Sequence, residues 1–179
     1  MGTIGSGKTT LARRLSYRLR WKYLGTDDLR QQLNIRVYEP NETEQLYIIL
    51  RKQIKKFIAR GESLILDATF YRRRWRETLL NDCSLHSVPV FGILCDADVS
   101  IRKENIRKRQ LDGHFGVSDV SILKRVDREF EKMQFREASQ YSGFMKISPT
   151  VPDTMVANPS ITSVQIIIID FFFIFFSPP

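Results

Sequence analysis

The sequence predicts an α/β fold in which helices cover both faces of a mostly parallel β-sheet. Three observations lead to this prediction. Helical and strand patterns alternate along the chain, two short segments are apolar enough to be strands buried on both faces, and a glycine-rich segment precedes the first amphipathic helix. The 179 residues suffice for one full hydrophobic core, so we expect a single domain over residues 1–179.

The first part of the chain contains two helical patterns separated by a short extended stretch. Leucines recur at every fourth position after the glycine-rich segment and mark one face of the first helix: Leu11, Leu15 and Leu19. Lys22 to Thr26 is the extended stretch. A long helix is predicted from Asn41 to Arg60, with Asn41 and Glu44 as a capping box and Gly61 after its end.

The middle of the chain contains the two most strand-like segments, Ser63 to Asp67 and Val88 to Cys95. A helix from Arg72 to Leu80 is predicted between them, and a strongly basic helix follows from Ile101 to Leu111. Because helical segments separate the strands, we expect the strands to run parallel.

The last third of the chain continues the alternation. Asp112 to Gly116 contains two glycines and is predicted to be a flexible connection. Ser118 is predicted to cap a further helix, whose apolar residues recur every three or four positions: Ile122, Val126, Phe130 and Met133. A last strand is predicted from Asp153 to Asn158. Ile166 to Phe176 is about half a membrane span in length, and we interpret it as a buried terminal helix rather than a membrane-associating tail.

Charge and cysteine content restrict the classes of partner and compartment. A net charge of +8 and a pI of about 9.7 predict anionic partners, which include nucleotide phosphates, nucleic acid and acidic membranes. The two cysteines, Cys83 and Cys95, lack CxxC spacing. They argue against a disulfide framework or a zinc site and are typical of a reducing cytoplasm, where we expect the protein.

The glycine-rich segment matches the phosphate-binding pattern GxxxxGK[ST] in full and predicts a three-layer P-loop NTPase fold. Its glycines allow successive N–H groups to converge on phosphate oxygens, and the following helix adds its positive dipole end. Lys8 is expected to reach the β- and γ-phosphates, and the Thr9 hydroxyl is expected to ligate Mg²⁺. The predicted nucleotide-binding residues are Gly2, Thr3, Ile4, Gly5, Ser6, Gly7, Lys8, Thr9 and Thr10.

A loop of this kind joins a strand to a helix, yet only Met1 precedes Gly2. The N-terminal strand that should enter the loop is therefore missing from its expected place. We favour a truncated or mis-started reading frame as the explanation. The alternative is that Ile166 to Ile169 occupies the vacant position as a strand.

Nucleotide binding alone does not define an activity. A GTPase would need a base-reading Asn-Lys-x-Asp segment, which the sequence lacks. A motor ATPase would usually need a much longer chain. We therefore favour a small phosphotransferase.

Four motifs downstream of the loop carry a resemblance to a known family. In order along the chain they are Thr26-Asp27-Asp28-Leu29-Arg30, Tyr38-Glu39-Pro40, Leu64-Ile65-Leu66-Asp67-Ala68-Thr69-Phe70 and Arg107-Lys108-Arg109-Gln110. From Gly2 to about Phe130 the sequence resembles the P-loop kinases of the AAA-domain type. It is similar to the kinase domain of phage polynucleotide kinase, and more distantly to gluconate kinases and zeta toxins.

The resemblance implies ATP and Mg²⁺ as cofactors and a mobile lid over approximately residues 101–117. It implies that Asp27 is the general base, that Arg30 helps to hold the acceptor and the phosphates, and that Asp67 lies near Mg²⁺ or the acceptor. Arg109 matches the lid arginine that contacts the transferring phosphoryl group, and Arg107 is the second candidate for this role. One further match, Arg76, implies a contact with the substrate.

Structural roles are the alternatives for several of these side chains. Asp27 and Asp28 would suit the N-terminus of a helix, and we keep this capping role for Asp28. Arg72, Arg73 and Arg74 are expected to form a solvated helical face.

The sequence therefore predicts a kinase that transfers the γ-phosphoryl group of ATP to a hydroxyl group of a small molecule. One alternative is a polynucleotide 5′-hydroxyl kinase, which is less favoured because no aromatic platform for stacked bases is evident. Others are a truncated nucleotide-binding module without transfer activity and a nucleic-acid-binding protein that uses the arginine-rich helices.

Overall fold

The computed structural model describes residues 1–35, 39–111, 120–147 and 166–168. Helices and strands alternate within these ranges, as the sequence predicts. The elements are α1 (Lys8–Leu19), β1 (Lys22–Gly25), α2 (Thr26–Gln32), α3 (Pro40–Ala59), β2 (Leu64–Asp67), α4 (Arg73–Leu85), β3 (Val90–Cys95), α5 (Val99–Leu111), α6 (Val120–Glu129), α7 (Phe135–Ala138), β4 (Gly143–Ile147) and β5 (Ile166–Ile168).

The five strands form one sheet in the order β1-β2-β5-β3-β4, and every pair of neighbouring strands is parallel. Successive residues of β2 face opposite sides of this sheet. Leu64 and Leu66 pack into a core with α3 and α4, whereas Ile65 packs against Ala12 of α1. Leu64, Ile65 and Leu66 are all fully buried, so helices cover both faces and the predicted three-layer α/β architecture is confirmed.

The predicted terminal helix is wrong at Ile166–Ile168, because these residues form the strand β5. They pair with Leu64–Leu66 on one side and with Val90–Gly92 on the other. The alternative prediction, that this segment fills the vacant strand position, is therefore confirmed for Ile166–Ile168, which lie between β2 and β3. A short apolar run suits a helix or a strand equally by its periodicity, and the open edges of β2 and β3 decide between them. Residues 169–176 lie outside the described ranges.

The start of the chain occupies the rest of the space between β2 and β3. The Met1 ammonium group donates to the Ile93 carbonyl at 3.3 Å, and the Cys95 N–H donates to the Met1 carbonyl at 3.1 Å. Gly2 then forms a parallel bridge with Cys95. The glycine-rich loop therefore begins between β2 and β3 at the carboxyl end of the strands, the edge at which open α/β sheets bind their ligands.

The predicted N-terminus of α3 differs from the observed one, where a proline begins the helix. The capping box of Asn41 and Glu44 is wrong, because α3 begins at Pro40 with Glu39 in the N-cap position and no side-chain cap. Proline suits the first helical position because its missing N–H would be unpaired there anyway.

Other differences concern the lengths of elements. α4 continues past its predicted end at Leu80, α6 stops before Phe130, and β4 was not predicted. The predictions for Tyr38, Asp112–Gly116, Ser118 and Asp153–Asn158 fall outside the described ranges. None of the described helices is both long and apolar enough to cross a bilayer.

Candidate functional site

The glycine-rich loop approaches its neighbours too closely for any residue but glycine at its centre. Gly5 has a φ of 80°, and a Cβ at this position would lie 2.6 Å from the carbonyl oxygen of Arg102. Gly7, with a φ of 91°, directly precedes α1. Both φ values lie in the left-handed region that favours glycine. The loop thus leads into a helix N-terminus, where unpaired N–H groups and the helix dipole attract anions.

Lys8 is the first residue of α1 and is only 8% exposed. Its ammonium group donates to the carbonyl of Thr3 at 2.8 Å, so the side chain folds back over the loop. A cation in this position can exchange a neutral carbonyl for a phosphate oxygen, which forms a stronger, charge-assisted hydrogen bond.

A cleft of about 850 Å³, which includes the space at its open mouth, lies in front of the loop. It brings together eight of the residues that the sequence singled out: Ile4, Gly5, Lys8, Thr9, Asp27, Arg30, Asp67 and Arg109. These residues come from the loop, from the start of α2, from the end of β2 and from α5. Thr3 faces a second, more open cavity on the other side of the loop.

Asp27 reaches the cleft from the first turn of α2, directly after β1. Burial raises the pKa of its carboxyl group, and the charge of Asp67 raises it further. Arg109 and Lys8 oppose these effects and lower the pKa. A carboxylate whose proton affinity is increased in this way is better suited to accept a proton near neutral pH.

Asp67 ends β2 and lies beside the start of α2 because Gly25 pairs with it in the sheet register. Its Oδ2 atom accepts a hydrogen bond of 2.9 Å from the Tyr23 hydroxyl. Burial and the Asp67 carboxylate together raise the pKa of Tyr23, so this hydroxyl remains a donor. The bond holds the buried Asp67 side chain at the edge of the cleft.

Arg30 projects from α2 and is 3% exposed although it lines the cleft. Its Nη2 atom donates to Thr43 Oγ1 at 3.0 Å. Arg109 lines the cleft from α5. With Arg125 and Glu129, which also line it, the cleft combines three carboxylates with four cationic side chains.

Thr9 and Asp67 are the predicted ligands of Mg²⁺, and both line this cleft. Oxygen atoms are the donors that Mg²⁺ prefers. Among the residues described, no three His, Cys, Asp or Glu side chains lie close enough together to hold a metal ion by themselves. One hydroxyl and one carboxylate fit a Mg²⁺ ion that takes its remaining ligands from phosphates and water, as this ion usually does.

Arg76 lies outside the cleft, so the structure does not place it where a substrate contact was predicted. It is 1% exposed and forms a bidentate ion pair with Glu137. Its remaining bonds go to the carbonyls of Phe70 at 2.7 Å and Glu131 at 2.9 Å. The guanidinium group thus links α4 to α7 and to two loops, so the role of Arg76 in this structure is structural.

Asp28 also differs from its predicted role. Gly25 occupies the N-cap position of α2, and no side chain caps the helix. Instead, the Asp28 carboxylate accepts two hydrogen bonds from Arg13 Nη2, at 2.8 and 2.9 Å.

The structure adds lining residues that sequence reasoning did not select: Thr43, Tyr47, Thr69, Tyr71, Arg125 and Glu129. The Tyr47 hydroxyl accepts a hydrogen bond from the Phe70 N–H at 2.8 Å and bonds with Thr69 Oγ1 at 3.3 Å. It thereby supports Phe70, whose φ of 42° is unusual for a non-glycine residue. Thr69 lies two residues after Asp67, just past the end of β2, and this position could have predicted that it lines the cleft. The sequence offered no such indication for Tyr47, because it lies in the buried stripe of α3.

Comparisons with known proteins agree with this geometry. A match to the AAA domain family covers residues 1–135. The comparison with curated protein sequences gives no match.

Two solved structures share the fold at low sequence identity. The gluconokinase from Sinorhizobium meliloti 1021 is 16% identical, with a TM-score of 0.57, over 85% of this chain and 81% of that chain. Kti12 from Chaetomium thermophilum, solved in complex with ADP-AlF3, is 17% identical, with a TM-score of 0.61, over 86% of this chain and 89% of that chain. The fold described here is thus that of P-loop, kinase-like proteins.

Proposed function

This chain belongs to the AAA domain family, and we propose that it is an ATP- and Mg²⁺-dependent kinase whose phosphoryl acceptor is a hydroxyl group of a small molecule. The observation that carries the proposal is the meeting of four groups in one cleft. These are a phosphate-binding loop with its Lys8, a carboxylate of raised pKa in Asp27, a second carboxylate in Asp67, and Arg109. Phosphoryl transfer requires this combination, because its protein catalysts act by positioning and by electrostatic stabilisation.

Each side chain has a distinct part in the proposed reaction. The loop N–H groups and Lys8 hold the β- and γ-phosphates. Thr9 and Asp67 would hold Mg²⁺, which would neutralise phosphate charge. Asp27 orients the acceptor hydroxyl and takes its proton as the oxygen attacks the γ-phosphorus, while the bond from the γ-phosphorus to the β–γ bridging oxygen breaks and ADP leaves with that electron pair. Arg109 stabilises the negative charge on the transferring group with two parallel donors, which a lysine lacks.

The polar side chains of the cleft suit a small polar acceptor. The walls of the cleft contain the hydroxyl-bearing residues Thr43 and Thr69 and the buried guanidinium of Arg30. The lid expected over about residues 101–117 would contain most of α5, and its residues 112–117 lie outside the described ranges. The gluconokinase likeness supports the kinase class and leaves the acceptor open.

The test is a transfer assay with radioactive γ-phosphate-labelled ATP, Mg²⁺ and a panel of acceptors that includes sugars, sugar acids, nucleosides and an oligonucleotide with a free 5′-hydroxyl. We expect ATP binding and transfer to a small polyhydroxylated acceptor, both lost in Lys8→Ala. Labelling of the oligonucleotide alone would favour a polynucleotide kinase. ATP binding without transfer to any acceptor would indicate a passive nucleotide-binding module, and absence of ATP binding would refute the proposal.

A further inference from the structure

Asn105, in the middle of α5, makes a direct contact with the glycine-rich loop. Its Nδ2 atom donates to the Gly5 carbonyl at 2.8 Å. One turn earlier, the Arg102 backbone touches the same glycine, and the Arg102 guanidinium forms two 2.7 Å hydrogen bonds with Asp127 of α6. The loop is therefore fixed at its centre to a helix pair rather than held only by its own ends.

The bond to the Gly5 carbonyl also sets the direction of the next N–H group. The peptide bonds of the described residues are all trans, and in a trans peptide the C=O and N–H groups point in opposite directions. With the Gly5 carbonyl directed at α5, the Ser6 N–H must point away from that helix. Gly5 itself resists rotation weakly, because glycine crosses between backbone conformations at little cost.

We propose that Asn105 is a positioning residue, which keeps the Gly5–Ser6 peptide turned so that the Ser6 N–H meets the nucleotide phosphates. This inference rests on the proposed function, since it names the residue that prepares the same site for its nucleotide. Without the amide donor, the peptide can turn over, remove one phosphate-binding N–H group and direct a carbonyl oxygen at the phosphates instead.

The same helix carries Arg109, four residues after Asn105 and hence on the same face. Asn105 contacts the loop and Arg109 lines the cleft, so one helix contributes to both. The bond from Asn105 therefore also sets where Arg109 lies relative to the phosphate-binding loop.

The experiment compares the wild-type chain with Asn105→Leu, which keeps the side-chain size but removes the donor, and with Asn105→Ala. Glu104→Gln is the matched control, because exposed Glu104 forms an ion pair only with Lys108, at 3.7 Å, among the contacts of the described chain. Affinities for Mg²⁺-ATP and for AMP are measured by calorimetry, and melting temperatures are measured without nucleotide.

We expect both Asn105 variants to bind ATP about 10- to 100-fold more weakly, as for the loss of one hydrogen bond to a charged group. AMP affinity should stay near its wild-type value, and the nucleotide-free melting temperature should fall by at most about 5 °C, as for the loss of one hydrogen bond. Glu104→Gln should match wild type throughout. ATP affinity that is unchanged in both variants would overturn this inference and leave the proposed function standing. A parallel loss of melting temperature and of ATP and AMP affinity would reduce Asn105 to a packing role and overturn it too. A wild-type chain that does not bind ATP would overturn both proposals.

Discussion

Asn in place of Asp27 should have opposite effects on the stability and on the activity of this protein. The pKa of Asp27 is raised in the folded state, mainly by burial and then by the charge of Asp67. The folded protein therefore holds this proton more tightly than the unfolded chain does. The resulting stabilisation is fully present below the unfolded pKa of about 3.9 and is lost as the pH rises through the folded pKa.

At neutral pH the ionised Asp27 thus costs the fold about 1.4 kcal/mol for every unit by which its pKa is raised. Asp27→Asn removes the charge and retains the shape of the side chain. We expect the variant to melt at a higher temperature than wild type at pH 7–8. The difference should shrink as the pH falls and Asp27 becomes protonated in the wild type.

Transfer should change in the opposite direction. Loss of a general base typically lowers the rate by about 10²–10⁴, which corresponds to about 2.7–5.4 kcal/mol in the activation free energy. ATP affinity should remain nearly intact, because the loop and Lys8 hold the phosphates. In the wild type, the rate should fall with decreasing pH through the raised pKa of Asp27, and this limb of the profile should vanish in the variant.

The control for this experiment is Asp28→Asn, one position along the same helix. Asp28 is paired with Arg13 at the surface, where such a pair contributes about 0–1 kcal/mol. This change should leave transfer unaltered and stability almost so. Calorimetric melts and transfer to a verified acceptor measure both quantities. If Asp27→Asn lowers stability and leaves transfer unchanged, Asp27 is a structural residue and the assignment of the base is wrong.

Three further changes test the loop, the lid and the sheet. Lys8→Ala should abolish detectable ATP binding by calorimetry, because it removes the cation that lies over the loop; a folded variant with wild-type affinity would contradict this. Arg109→Lys should slow transfer by at least about tenfold, since Lys lacks the paired donors, whereas Arg107→Lys on the exposed side of α5 should be silent in the same assay. Equal rates for the two variants would refute the role of Arg109. Ile167→Pro should lower the melting temperature by the equivalent of about 1–3 kcal/mol, because proline removes a backbone donor between two strands and leaves its partner unpaired. An unchanged melt would show that β5 does not support the sheet.

The sequence determined the features of this protein that depend on short segments. The alternation of apolar patterns predicted the parallel α/β sheet, and the spacing of Gly2, Gly7, Lys8 and Thr9 predicted a phosphate-binding loop before a helix. Asp67 was selected through the family resemblance, and its place at the end of a buried strand agrees with the rule that open α/β sheets bind ligands at the carboxyl ends of their strands. Local pattern was enough for the sheet and the loop, and the resemblance supplied the carboxylate.

Tertiary structure decided the features that depend on groups far apart in the chain. Ile166–Ile168 became a strand because β2 and β3 offer unpaired backbone groups on both sides of it. Arg76 became a buried structural residue because Glu137, 61 positions later, supplies its counter-charge. The neighbouring residues predict neither outcome. The local sequence around an apolar run or an arginine is the same whichever distant partner the fold brings to it. The free energy that selects the partner comes from burial and long-range pairing, which exist only once the chain has folded.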